Sequence, residues 1–81
     1  MGKEIRMVYD EEGDVLDVSL GEPEESISKE VEDDFFLRVR PDSGAVVGFS
    51  ILNFRKWFKD KKDIKILPVT GELAFSHFHN P

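Results

Sequence analysis

Apolar and polar residues alternate along much of the first two thirds of the chain. The alternation is clear in residues 5–9, 16–20, 35–39 and 45–52, and it is weaker and more polar in residues 27–31. A period of two residues is the signature of a β-strand that buries one face. Both faces of 45–52 are largely apolar, which predicts a central strand, whereas the charged residues in 27–31 predict an edge strand.

Two polar segments that contain glycine separate neighbouring strands and resemble each other. Residues 8–20 align without gaps on residues 39–51, and an acidic residue followed by another polar residue precedes both Gly13 and Gly44. This arrangement is typical of a type I turn whose next residue takes a positive φ, which glycine does at little steric cost. We therefore predict two hairpins with a left-handed glycine in each, although chance similarity between two hairpins explains the match equally well.

The period of the apolar residues changes after Asn53. Phe54, Trp57 and Phe58 are spaced i, i+3, i+4 with basic residues between them, which is the stripe of a short amphipathic helix. Asn53 is a good residue to cap its N-terminus. About two turns of helix do not persist alone in water, so the aromatic stripe is expected to pack on the sheet.

Together these patterns predict an α+β fold, an antiparallel β-meander of four to five strands with one short amphipathic helix packed on the sheet. Ile64 and Ile66 favour a last short strand, but the pattern of residues 64–75 leaves strand and helix both open. Residues 76–81 are expected to fray. The 81 residues form one domain in this interpretation, close to the lower size at which a core is stable without disulfides or metals.

Charge is distributed unevenly along the chain. Residues 1–54 contain 5 Lys/Arg and 14 Asp/Glu, a net charge of −9, whereas residues 55–81 contain 6 and 3, a net charge of +3. An acidic body repels nucleic-acid phosphates and suits a basic protein partner. The chain has no apolar run of the length that a membrane span or a signal peptide requires, so we expect a cytoplasmic protein without a membrane partner.

Four carboxylates surround Gly13, namely those of Asp10, Glu11, Glu12 and Asp14. The segment does not fit a calcium loop of the EF-hand type, because glycine is fourth rather than sixth when counted from Asp10 and strands flank it. Asp10 and Asp14 remain candidate metal ligands.

The C-terminal histidines, His77 and His79, are a second candidate metal pair, since imidazoles two residues apart lie on one side of an extended chain. The chain has no cysteine and no convincing set of nucleophile, base and acid. We therefore expect no nucleophilic catalysis and no cofactor, and the sequence leans against an enzyme without deciding the question.

Two groups of residues are candidates for protein interaction. Phe54, Trp57 and Phe58 either form the helix half of the core or include an exposed anchor for a partner or a second copy. In the first glycine segment the carboxylates of three residues have no acidic counterparts in the second, so hairpin closure does not explain them. These residues are Asp10, Glu12 and Asp14.

The chain resembles the domain-of-unknown-function family 2283. The resemblance is carried by Tyr9-Asp10, by Asp14 ahead of an alternating strand, by Gly44, and by residues 50–52 leading into a short helix. It covers about residues 6–58.

Several expectations follow from this resemblance. Residues 59–81 would form a C-terminal extension of the family core. Two positions depart from the family pattern: Asp17 stands where an aromatic residue is common, and Phe49-Ser50 replaces an apolar-Glu pair. The family has no established activity, so the resemblance implies a fold and no reaction, together with an antitoxin-like binding role for some members.

The sequence therefore favours a noncatalytic module that acts through a protein partner or as a homodimer. The alternative is a small metal-binding protein or enzyme that uses the carboxylates of Asp10 and Asp14.

Overall fold

The computed structural model describes residues 3–58 and 64–75. These residues form five β-strands and one short helix. In chain order the elements are β1 (Ile5–Asp10), β2 (Val15–Leu20), β3 (Ile27–Glu32), β4 (Phe35–Val39), β5 (Val46–Leu52) and a 3₁₀ helix (Phe54–Phe58). No helix among the described residues is long and apolar enough to cross a membrane.

All five strands belong to one antiparallel sheet in the order β1-β2-β5-β4-β3. β1 and β2 form a hairpin, β3 to β5 form a three-stranded meander, and the two units join where β2 pairs with β5. The chain crosses from β2 to the far edge through residues 21–26. The antiparallel sheet, the central position of β5 and the edge position of β3 are as predicted.

The register places the apolar residues of neighbouring strands on one face of the sheet. Val18 lies opposite Phe49, and both Leu16 and Phe35 lie opposite Ile51. Directly opposed residues share a face, so their side chains pack against one another. The buried apolar residues of this face form the core: Val18, Phe35, Val39, Val47 and Ile51.

The 3₁₀ helix covers part of this apolar face. Phe35 is fully buried, and its ring lies 5.3 Å from that of Phe49 and 6.4 Å from the indole of Trp57. The predicted packing of the aromatic stripe on the sheet is therefore confirmed at Trp57, which is half-buried.

The helix itself differs from the prediction. Residues 54–58 form a single 3₁₀ helix with none of its residues fully buried, so the described fold is mostly β and its α component is reduced to this turn. The backbone N–H of Lys56 bonds to the carbonyl oxygen of Asn53 at 3.0 Å, which is the i to i+3 pattern of a 3₁₀ helix. Asn53 adopts a left-handed φ of 53°, so it does not cap the helix in the extended conformation typical of an N-cap.

The predicted last strand is wrong. Residues 64–75 contain no strand, and the side chains of Ile64 and Ile66 are almost fully exposed. The alternation of these residues is local, whereas a strand also needs a neighbouring edge with which to pair. The predicted fraying of 76–81 lies outside the described residues.

Candidate functional site: the Asp14 cluster and the open edge of the sheet

The first glycine segment closes the hairpin differently from the second. Asp10 pairs with Val15, which leaves a four-residue loop in which Asp14, and not Gly13, takes the left-handed conformation at φ 57°. The N–H of Gly13 bonds instead to the Asp10 carboxylate at 3.2 Å. In the second segment Gly44 has φ 76°, as predicted. Aspartate tolerates the left-handed region better than most residues, so the loop is stable with the acid in that position.

Asp14 is the centre of a hydrogen-bonded cluster that joins β1 to the 3₁₀ helix. The Tyr9 hydroxyl donates to its Oδ1 at 2.6 Å. The backbone N–H of Arg55 donates to its two carboxylate oxygens at 3.2 and 3.3 Å, and Nε of Arg55 donates to Oδ1 at 3.2 Å. The N–H of Phe54 bonds to the Asp14 carbonyl oxygen at 3.1 Å. Asp14 therefore satisfies the first N–H groups of the helix, the role that the sequence suggested for Asn53.

These contacts determine the protonation of the cluster. The hydrogen bond from Tyr9 lowers the pKa of Asp14, desolvation opposes this, and the bonds and charge of Arg55 lower it further. The same hydrogen bond raises the pKa of the Tyr9 phenol, because ionisation would place a second negative charge beside the carboxylate. A carboxylate with a depressed pKa is a poor general base at neutral pH, so this geometry favours a structural role for Asp14.

The predicted metal ligands Asp10 and Asp14 do not belong to a metal-binding group of three or more ligands within the described residues. Within residues 3–58 and 64–75 no group of three or more His, Asp or Glu side chains is arranged to hold a metal ion. Asp10 bonds within its own loop, whereas Glu12 makes no hydrogen bond or ion pair with a described residue. His77 and His79 lie outside the described residues, so that pair stays a prediction.

The three aromatic candidates have different environments. Phe54 contacts the Tyr9 ring edge to face at 6.0 Å and the Phe58 ring at the same distance. Trp57 packs on Phe35, whereas Phe58 is 44% exposed. Trp57 and Phe54 are thus tied to the sheet, and Phe58 is the member that the solvent reaches most.

A polar cluster on the opposite face of the sheet was not singled out from the sequence. The guanidinium of Arg38 donates to the Val18 carbonyl oxygen at 2.7 Å and to Ser19 Oγ at 3.3 Å, and it lies 3.4 Å from Oδ1 of Asp17. The hydroxyl of Ser50 donates to the same carboxylate oxygen.

Gly48 makes room for this guanidinium. A Cβ on Gly48 would collide with the backbone carbonyl oxygen of Val18 and would lie 2.5 Å from Nη2 of Arg38, closer than real Cβ contacts allow. The sequence contains a signal for this cluster, since Asp17 and Ser19 alternate with Leu16, Val18 and Leu20 and therefore share one face of β2. The two departures from the family pattern, Asp17 and Ser50, lie directly opposite each other in this cluster.

The two edges of the sheet differ in character. All six residues of each edge strand are exposed, but apolar side chains project from both faces of β1: Met7 is 67% exposed on the apolar face and Val8 is 64% exposed on the other. β3 carries Lys29, Glu30 and Glu32 and contains a bulge between the two glutamates. Charges and bulges are the usual protection of an edge strand, so β3 is protected and β1 is open.

A broad depression beside β1 is lined by residues 3–4, 6 and 21–24 and is open to solvent. Ion pairs cross this region, since Arg6 contacts Glu22 at 2.8 Å and Arg40 contacts Glu24 at 2.8 Å. The depression is open and bordered by charged side chains, unlike the enclosed pockets that bind small organic ligands.

Comparison with known proteins identifies the family. Neither the curated proteins nor the solved structures yield a match to the chain. The family model described as "Protein of unknown function (DUF2283)" matches residues 6–55, from β1 into the 3₁₀ helix. The match spans the whole sheet and more than half of the chain, so the protein belongs to the DUF2283 family.

Proposed function

We propose that this protein is a noncatalytic module that acts by self-association through the open β1 edge. The observation that carries the proposal is the exposure of apolar side chains on both faces of a single edge strand. Exposed apolar groups that adjoin one another mark interaction surfaces, whereas isolated ones need no explanation. A chain of this size buries a smaller fraction of its surface on folding than a larger domain does, and a second copy increases the buried area.

The chemistry of the carboxylates supports the noncatalytic part of the proposal. Asp14 is engaged by Tyr9 and by the start of the 3₁₀ helix, and its pKa is depressed. On the opposite face Arg38 balances the charge of Asp17. Both carboxylates hold elements of the fold together, whereas within the sheet the edge strand β1 presents exposed apolar side chains.

The test is the mass of the chain as a function of concentration. Sedimentation velocity from about 1 µM to about 1 mM should show the mass rising from 9.3 kDa towards twice that value. Met7→Lys should keep the chain monomeric over this range, because it places a charge on the exposed apolar surface of β1.

Val31→Lys is the matched control, since Val31 is a half-exposed apolar residue on the protected β3 edge. It should dimerise like the native chain. A native chain that remains monomeric throughout, or a Met7→Lys variant that still associates, would contradict the proposal. Circular dichroism of each variant establishes that the fold is retained.

A further inference from the structure

We infer that two copies of the chain pair β1 against β1 in antiparallel orientation, with Val8 at the two-fold axis, and form one ten-stranded sheet. This inference rests on the proposed self-association and specifies its geometry. It assigns a partner residue in the second copy to each residue in the middle of β1.

The backbone of β1 shows which of its groups are free to pair. The N–H of Gly21 bonds to the carbonyl oxygen of Glu4 at 2.7 Å, and the register pairs Ile5 with Leu20. Backbone groups in an antiparallel pair point alternately towards and away from the neighbouring strand. The N–H and C=O groups of Ile5, Met7 and Tyr9 therefore point to the open side, where a second strand can bond to them.

Symmetry limits the possible registers. A two-fold axis that makes two β1 strands antiparallel stands perpendicular to the sheet, so both apolar faces lie on the same side. Only residues of the same face can then lie opposite each other. The axis must therefore lie midway between a residue and its own symmetry mate, and not at the level of a peptide bond between two residues.

With Val8 on the axis, the residues that lie directly opposite each other in the middle of the strand form favourable pairs. Met7 lies opposite Tyr9 of the second copy, their outward backbone groups bond, and the thioether meets the aromatic ring on the apolar face. Arg6 lies opposite Asp10 of the second copy, so opposite charges meet on the other face. Val8 meets its own symmetry mate between them.

The neighbouring registers are poorer. With Met7 on the axis, Arg6 would lie opposite Val8. With Tyr9 on the axis, Val8 would lie opposite Asp10. In both registers a charged residue lies opposite an apolar one within β1, which is a poorer pair than Arg6 opposite Asp10, so the composition of β1 favours the register centred on Val8.

The internal contacts of the two charged residues are compatible with this pairing. Arg6 donates from Nη2 to Glu22 at 2.8 Å, and Asp10 accepts the N–H of Gly13 through Oδ1 at 3.2 Å. A guanidinium carries five N–H donors and a carboxylate about four acceptor positions. Both groups therefore retain the capacity for a bond across the interface.

A cysteine at the axis tests the register directly, because the native chain has no cysteine. In the proposed register Val8 and its mate form a non-hydrogen-bonded pair with Cα atoms about 4.5 Å apart, within the range of a disulfide. Val8→Cys should therefore form a disulfide-linked dimer in a glutathione buffer. Met7→Cys should not, since Met7 and its mate are diagonal and more than about 7 Å apart.

Val31→Cys, on the β3 edge, measures the rate of linkage by random collision. We expect Val8→Cys to link at least about tenfold faster than this control. A rate equal to that of Val31→Cys would overturn the strand pairing, and faster linkage of Met7→Cys would overturn the register. If native chains nevertheless dimerise in sedimentation, the proposed self-association would remain while this geometry would be wrong.

Charge reversal provides a second, reversible test. Arg6→Asp places like charges opposite each other in both symmetric pairs, and so does Asp10→Arg. Each variant alone should dimerise at least about tenfold more weakly than the native chain.

An equimolar mixture of these two variants should form a heterodimer, because two acidic side chains of one variant then lie opposite two basic side chains of the other. The chain that carries both substitutions should recover homodimerisation, since opposite charges again meet in both symmetric pairs. Glu22→Gln, which removes the internal partner of Arg6, should leave the dimer unchanged. A mixture as monomeric as its components would overturn the contact between Arg6 and Asp10.

Discussion

Asp14 illustrates how a residue that looks functional in the sequence is used by the fold. The acidic segment contains more carboxylates than a hairpin needs, which made Asp14 a candidate ligand. Its partner Arg55 is 41 residues away in the chain, so no local pattern indicated the contact. The turn pattern predicted the left-handed conformation of Gly44 correctly. It also predicted that conformation for Gly13, whereas Asp14 adopts it, because the sequence of a loop does not show which of two neighbouring residues takes the positive φ.

The Tyr9 phenol should titrate above its ordinary pKa of about 10. It is the only tyrosine, so the phenolate absorbance of dilute protein reports this group alone. Asp14→Asn should move the midpoint down towards 10, because the hydrogen bond to an ionised acceptor is weakened and the neighbouring negative charge is lost while the side chain retains its shape. A midpoint that is unchanged by the substitution would show that the phenol is not bonded to Asp14 in solution.

The hydrogen bond between Tyr9 and Asp14 also predicts how the stability of the fold decreases at acidic pH, which we call the acid limb. The pKa of Asp14 is lower in the folded than in the unfolded chain, so its ionisation stabilises the fold fully above the unfolded pKa of about 4. This contribution is lost as the pH falls through the lower folded pKa. The difference in Tm between the native chain and Asp14→Asn should therefore be constant near neutrality and shrink below about pH 4. Glu12→Gln, which alters a carboxylate without a described partner, should leave the acid limb unchanged.

At the scale of elements, strands were easier to predict than their neighbours or the helix. Alternation depends on one segment at a time, and it identified all five strands of the described sheet. The pairing of β2 with β5 joins segments that are distant in sequence, and hydrophobic alternation carries no information about partners. The stripe of Phe54, Trp57 and Phe58 fits an α-helix and a 3₁₀ helix equally well over five residues.

The packing of the 3₁₀ helix on β4 should depend on Phe35. Phe35→Ala removes the ring that is fully buried among the described residues, and it is expected to lower the free energy of unfolding by about 3–5 kcal/mol. Trp57 is the only tryptophan and lies against Phe35, so its fluorescence during denaturation in urea reports the loss. Phe58→Ala, at a ring that is 44% exposed, should cost less than about 1 kcal/mol. Equal losses in the two variants would mean that the core is not centred on Phe35.

At the scale of the whole molecule, the unequal protection of the two edges defines the assembly that we expect. The sequence predicted a protected edge at residues 27–31, and the charges and bulge of β3 confirm it. It did not identify β1 as the open edge, because apolar residues at alternate positions suggested a half-buried strand, and only the strand order shows that β1 lies at the end of the sheet.

The sedimenting mass should therefore reach a plateau at twice the monomer mass and remain there. A dimer joined at β1 uses both open edges, and its sheet ends in β3 on either side. Species larger than the dimer at about 1 mM would show that β3, or another surface, also associates. The Val31→Lys variant would then distinguish the two, since it should abolish only those species that use the β3 edge.

The bulge at Val31 has a further consequence for the behaviour of this chain at high concentration. A sheet with two reactive edges is a bifunctional unit and can polymerise into fibres, as in cross-β aggregates. In the proposed dimer the interruption between Glu30 and Glu32 leaves each copy with one edge that can pair. Each pairing would then use the open edge of both copies, as a chain stopper ends a polymerisation. Under this proposal the fold carries an exposed strand as apolar as β1 without starting a filament.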